Sequence, residues 1–196
     1  MLRYIISVFI ALIIAIPSGF YGSEYIFKNF GGFSQFSIGS WHAAPLAGTI
    51  EADAYAKAHR LALNNLTLGR AGGLTFHAWR DDNDQPLNSN CHYRIIGQLP
   101  SLRFFTLYAI DENAQPLNAS PPYLAELNSD ALIFESNGDI DIAISSTAKA
   151  GNWLYVARNK RYGLVMTLYD TPVASETGLV NPILPKIERI QDGRCG

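Results

Sequence analysis

Residues 131–145, Ala-Leu-Ile-Phe-Glu-Ser-Asn-Gly-Asp-Ile-Asp-Ile-Ala-Ile-Ser, decide the fold class. Two β-rich runs, Ala131 to Glu135 and Ile140 to Ser145, flank the turn Glu135-Ser136-Asn137-Gly138-Asp139. An Asn-Gly pair readily takes the positive φ values of a tight hairpin, so this stretch predicts two antiparallel strands. The same kind of run recurs at Leu74 to Arg80, Cys91 to Ile96, Leu102 to Ile110, Trp153 to Ala157 and Tyr162 to Tyr169. Short strands separated by turn clusters predict a mainly β chain, an antiparallel β-sandwich or jelly roll.

One turn is repeated. Asp81-Asp82-Asn83-Asp84-Gln85-Pro86-Leu87-Asn88 matches Asp111-Glu112-Asn113-Ala114-Gln115-Pro116-Leu117-Asn118 at an offset of 30. Two copies fall short of the three or more units that a solenoid requires, and the echo reads as two similar hairpin connections.

Upstream of the strands the pattern changes twice. From Thr49 through Leu63, Ala54, Tyr55, Ala58, Leu61 and Ala62 recur at helical spacing. Thr49 can cap that helix, and Glu51 and Asp53 sit where the dipole favours anions. Residues 26–48 are rich in Gly, Ser and aromatics without a helical period, which predicts a linker that becomes a docked extended segment. Before it, Tyr4 to Ser23 (YIISVFIALIIAIPSGFYGS) carries no charge, and about 20 mainly apolar residues suffice for a helix to cross a hydrocarbon core. Arg3 precedes the run and Glu24 and Lys28 follow it, which predicts a cytoplasmic N-terminus and an exported remainder. A cleaved signal peptide is the rival reading, because the strongly apolar part stops at Pro17; yet only Pro17-Ser18-Gly19 approaches a small-x-small site. The expected layout is a membrane anchor over 1–25, the linker over 26–48 and one extracytoplasmic β domain over 49–196.

Composition limits function. Lys plus Arg number 15 against 17 Asp plus Glu, with no basic cluster interleaved with aromatics, so the electrostatic footprint of a nucleic-acid binder is missing. Export bears on Cys91 and Cys195. They are too far apart for a metal knuckle or a Cys-x-x-Cys pair, and an even count in an oxidising compartment suggests a disulfide; a buried free thiol and a loose one remain the alternative.

The candidate chemistry is weak at every point. Asp81-Asp82-Asn83-Asp84 could offer oxygen ligands to calcium but lacks the spacing and distal Glu of a calcium loop, and Asp and Asn dominate ordinary turns. His42, His59, His77 and His92 show no metal-binding spacing. A hairpin would set His77 and His92 face to face, but nothing identifies further ligands. Ser146-Thr147-Ala148-Lys149 fits the Ser-x-x-Lys pattern of penicillin-recognising enzymes without its partner motifs, and reads as a loop. Trp41, Trp79 and Trp153 could line a sugar or lipid cleft, although such residues more often fill a β core. No catalytic residue, metal ligand, ligand-binding residue or cofactor is assigned.

Cys91-His92-Tyr93-Arg94, Phe105-Thr106-Leu107-Tyr108, Asp139-Ile140-Asp141-Ile142, Gly151-Asn152-Trp153-Leu154 and Leu168-Tyr169-Asp170-Thr171-Pro172, taken in order, resemble the bacterial family called domain of unknown function 1214. The resemblance covers roughly Gly72 to Ile190, and the anchor, Trp41 and Asp53-Ala54-Tyr55 look like its short, membrane-anchored members. Tyr155 departs from the proline usual in that family. The resemblance implies a β-sandwich of jelly-roll type, association with a sister family, domain of unknown function 1254, and no established catalytic residues. The expectation is therefore a single-pass protein of the bacterial inner membrane with its C-terminal domain in the periplasm. That domain would be a non-catalytic module docking a partner; an envelope hydrolase acting on a sugar, ester or amide is the alternative.

Overall fold

The computed structural model describes residues 2–29, 35–62, 68, 72–119, 123–158, 161–174, 182–190 and 195. Helix α1 (Leu2–Asn29) is followed by β1 (Phe36–Ile38), β2 (Trp41–Ala43), α2 (Ala54–Ala62), β3 (Gly73–Ala78), β4 (His92–Gly97), β5 (Phe104–Ile110) and β6 (Glu126–Asn128). Then come β7 (Ile140–Ser145), β8 (Asn152–Tyr155), β9 (Gly163–Tyr169) and β10 (Lys186–Ile190). The strands form two sheets, ordered β1-β2-β3-β9-β5-β6 and β10-β4-β7-β8. Their inward residues meet in one core, with Phe76, Phe105, Leu107, Leu164, Met166 and Leu168 from the first sheet and Tyr93, Ile95, Ile142, Ile144, Leu154 and Ile187 from the second.

β9 lies between β3 and β5 and is buried from Gly163 through Leu168, which is why it reads as an unbroken apolar run. Thr75 and Thr167, opposite each other in register, join their hydroxyls across 3.2 Å. One pairing departs from the antiparallel expectation: β7 and β8 run parallel, with Ile142 beside Asn152 and Ser145 beside Tyr155. The short connection 146–151 brings the chain back alongside itself, and the Trp153 indole fixes the return by donating to the Ser145 carbonyl at 3.1 Å.

The turn at 135–139 forms as its sequence requires. Glu135 N donates to Asp139 O, Gly138 N donates to Glu135 O, and Gly138 holds φ +84. The strand expected before it, Ala131 to Glu135, does not form. Asn128 accepts from the amides of Asp130 and Ala131 and caps a 3-10 turn over Ser129–Ala131. Beyond it, Ile133 N donates to Asn152 Oδ1 and Ile133 O accepts from Asn152 Nδ2, so a side-chain amide substitutes for a strand partner.

α2 also starts later than its periodicity suggests. The Asp53 carboxylate accepts from the amides of Tyr55 and Ala56, which makes Asp53 the cap. Thr49 instead donates its hydroxyl to Leu46 O, and the expected end at Leu63 lies outside the described residues. Residues 36–43, expected as a docked extended segment, make the β1–β2 hairpin at the edge of the first sheet, with Trp41 buried.

α1 contains a span, Arg3–Tyr25, of mean hydropathy 2.2 that is long and apolar enough to cross a membrane. None of that span is buried against the rest of the chain.

Candidate functional site

Two surface features carry exposed or charged chemistry. The first is an aromatic shelf at the β8 edge of the second sheet. Leu154 points into the core, so its neighbours Trp153 and Tyr155 stand on the outer face, as alternation along a strand requires. Tyr123 stacks on Tyr155 with centroids 4.6 Å apart and meets Trp153 edge-on at 5.7 Å. The amide of Tyr155 donates to the Leu124 carbonyl, which holds the 123–124 segment against the strand. Leu124, Ile133 and Phe134 are exposed, and the Asn152 amide ties Ile133 to β8. Farther across this face the surface is ionic: Arg94 forks onto Asp141, its Nε 3.0 Å from Oδ1, and this hydrogen bond raises the Arg94 pKa above its ordinary value.

The second feature lies where β4 begins. Cys91 and Cys195 stand at disulfide-bonding distance, with Cα atoms 4.7 Å apart. Nearby, Asp81, only 2% exposed, lies 3.3 Å from Arg189 Nε, and the Arg189 guanidinium carbon sits 5.6 Å from the centre of the Tyr93 ring. Tyr162 is packed edge-on against Tyr93 at 6.2 Å. Burial, with a smaller contribution from Tyr93, pushes the Tyr162 phenol well above its ordinary pKa, and its hydroxyl has no hydrogen-bond partner among the described residues.

Apart from the two cysteines, the residues singled out from the sequence are not gathered into one site. In the acidic turn, Asp81 Oδ1 accepts from the amides of Asn83 and Gln85, and Asp82 accepts from the Ser40 hydroxyl and the Ile187 amide. Those carboxylates thus organise local backbone. Asp111 repeats the pattern with Asn113 and Gln115, and Asp84 and Ala114 both hold φ 59, so the echoed sequences form the same turn.

His77 stands opposite His42, across β2 and β3, and not opposite His92, which belongs to the other sheet. His92 Nε2 lies 3.4 Å from the Thr147 hydroxyl, and the His59 side chain lies outside the described residues. Among the described residues no group of three or more His, Cys, Asp or Glu side chains is arranged to hold a metal. Ser146 sits in the β7–β8 connection, where its hydroxyl accepts from Arg158 Nε, and Lys149 is exposed. The three tryptophans are dispersed: Trp41 is in the core, Trp79 covers Gly163, and Trp153 belongs to the shelf. Sequence reasoning missed the shelf as a unit. Its members come from segments distant along the chain, and only the doublet Trp153 and Tyr155 at strand spacing hinted at it.

The family model described as "Protein of unknown function (DUF1214)" matches residues 72–173. The crystal structure of the VPA0106 protein from Vibrio parahaemolyticus is similar, with a TM-score of 0.57 and 17% identity, over 72% of this chain and 36% of that one. An uncharacterized protein from Burkholderia cenocepacia aligns with a TM-score of 0.41 and 19% identity, over 60% of this chain and 29% of that one. No curated protein matches this chain. The chain thus spans little more than a third of the Vibrio protein, and at this identity the likeness is one of fold.

Proposed function

Because this chain belongs to the family described as "Protein of unknown function (DUF1214)", a description without an activity, we propose its function from the aromatic shelf and the exposed apolar span of α1. It is a single-pass protein of the bacterial inner membrane, anchored by residues 1–25 with its N-terminus in the cytoplasm. Its β-sandwich, of jelly-roll type, lies in the periplasm and docks a partner protein without catalysing a reaction. The observation that carries docking is the aromatic shelf. Tyr123, Trp153 and Tyr155 pack on one another, exposed Leu124 and Ile133 are hydrogen-bonded to β8 beside them, and large apolar side chains gathered on one edge are the mark of an interaction surface.

The occupant we propose is a separate polypeptide of the sister family, domain of unknown function 1254. That occupant is what the family resemblance implies. The wholly exposed span Arg3–Tyr25 supports the anchor, since an apolar helix of that length finds no cover inside its own chain.

A photo-crosslinker placed at Tyr123 in the full chain, in the producing bacterium, tests docking. A single dominant product containing a sister-family protein is expected from Tyr123 and none from Glu112, which lies in the second of the twin turns. Deleting that partner lowers the level of this protein, because a bound partner stabilises the folded state by mass action. No product, or equal products from both positions, rejects the shelf as the docking surface. Reporter fusions after Lys28 test the orientation, and activity only of a cytoplasmic reporter there rejects it.

A further inference from the structure

A cavity of about 260 Å³ opens beside the cysteine pair, lined by Pro86, Asn88, Cys91, Arg161, Arg189 and Cys195. It shares no residue with the aromatic shelf and plays no part in the docking reading. Among the described residues both charged side chains in its lining are guanidinium groups, and no carboxylate lines it.

The two arginines are held differently. Arg189 is fixed from behind: Asp81 lies 3.3 Å from its Nε, the Tyr93 ring lies against its guanidinium carbon, and its Nη2 is 3.5 Å from the Tyr93 hydroxyl. Arg161 is placed through its backbone, which bridges to Asn88, while its exposed side chain has no carboxylate partner among the described residues. The single charge of Asp81 offsets one of the two cations, so the described residues leave the cavity with a net positive charge. Asn88 also lines the cavity; its Oδ1 accepts from the Asn90 amide, and its Nδ2 is a donor.

We propose that this cavity binds an organic anion whose carboxylate or phosphate head sits between Arg161 and Arg189. Guanidinium forks match the paired oxygens of such heads, and an arginine already fixed by its neighbours loses little freedom on binding. Pro86, Cys91 and Cys195 give the rest of the ligand the less polar part of the lining. At about 30 Å³ for each water, the cavity has the volume of roughly nine waters, enough for one head group and a short or ring-sized substituent.

The test uses the full chain, ¹⁵N-labelled at arginine, in phosphatidylcholine nanodiscs, with phenyl phosphate and inorganic phosphate as probes. Phenyl phosphate is expected to shift the Nε–Hε signals of Arg161 and Arg189 saturably, and Arg161→Gln is expected to raise its Kd at least tenfold at an unchanged melting temperature. Arg158→Gln, outside the cavity, leaves the Kd unchanged. Phosphatidylglycerol nanodiscs separate two sources of the head group: the same shifts without added probe identify a lipid headgroup, and shifts only with soluble probe identify a free anion, either of which supports the site. No saturable shift under any of these conditions, equal movement of Arg80 and Arg103, or an unchanged Kd in Arg161→Gln overturns the proposal.

Discussion

The indole Nε1 of Trp41 donates to the Pro185 carbonyl across 2.7 Å, joining the first hairpin to the segment that leads into β10. Two further bonds run close by, because Asp82 accepts from the Ser40 hydroxyl at 2.6 Å and from the Ile187 amide at 3.0 Å. Trp41→Phe preserves much of the apolar contact but strands a buried carbonyl, which costs about 1–3 kcal/mol. Trp41→Ala adds a cavity and costs about 3–5 kcal/mol. Urea midpoints of the two variants check this ordering, and a Phe variant as stable as the parent denies the hydrogen bond its role.

Cys91 and Cys195, at disulfide-bonding distance, have a sequence separation of 104. A bridge between them restricts the unfolded chain, and Cys91→Ser with Cys195→Ser is expected to lower stability by roughly 2–4 kcal/mol. Alkylation of the denatured, unreduced protein followed by mass measurement counts free thiols. Two labelled cysteines there contradict the bridge.

Gly73 and Gly151 both hold positive φ, but only Gly73 is crowded: a Cβ there meets the Leu168 carbonyl, whereas one at Gly151 meets nothing within 4 Å. Gly151→Ala therefore carries only conformational strain, about 1–3 kcal/mol. Gly73→Ala carries strain plus a backbone clash in the β3–β9 ladder and is expected to be the more damaging of the two. Melting temperatures of the pair decide the point, and equal losses count against the clash.

Tyr162 imposes an alkaline limit. Its folded pKa is raised, so the stability associated with its neutral phenol is fully present below the unfolded value of about 10. Above that pH the unfolded chain releases the proton while the folded protein keeps it, and stability falls by about 1.36 kcal/mol per pH unit until the folded pKa is reached. Tyr162→Phe removes this contribution along with a hydroxyl that has no partner among the described residues. Denaturation midpoints from pH 9 to 11 should decline less steeply in the variant; parallel declines show that other groups set the limit.

What could be read from the sequence was what depends on neighbours along the chain. The twin turns at Asp81 and Asp111 were legible because their capping bonds reach only to positions two and four residues onward. β9 was legible because burial on both faces leaves an unbroken apolar run. The failures come from distance. β10, Lys-Ile-Glu-Arg-Ile, shows a single buried residue among charges, and its strand identity comes from pairing with β4, far upstream. Ala131 to Glu135 reads as a strand, yet it forms none and Ile133 is 70% exposed, since hydrophobicity does not reveal which side of a sheet's edge a segment occupies. The shelf and the arginine cavity were hidden for the same reason, each drawing on segments that meet only in the folded chain.

The position of β9 also sets a timetable for assembly. Gly163–Tyr169 fills the gap between β3 and β5, and until the ribosome has made it neither strand has its neighbour on that side. Trp41 waits longer still, for a carbonyl at residue 185, and Cys91 for a sulfur at residue 195. The early half of the β domain thus spends most of its synthesis with unpaired edges and an unburied tryptophan. Topologies dominated by such distant contacts fold slowly and are open to misassociation meanwhile, so a holding chaperone should bind nascent chains ending before residue 163 and release those extending past 195.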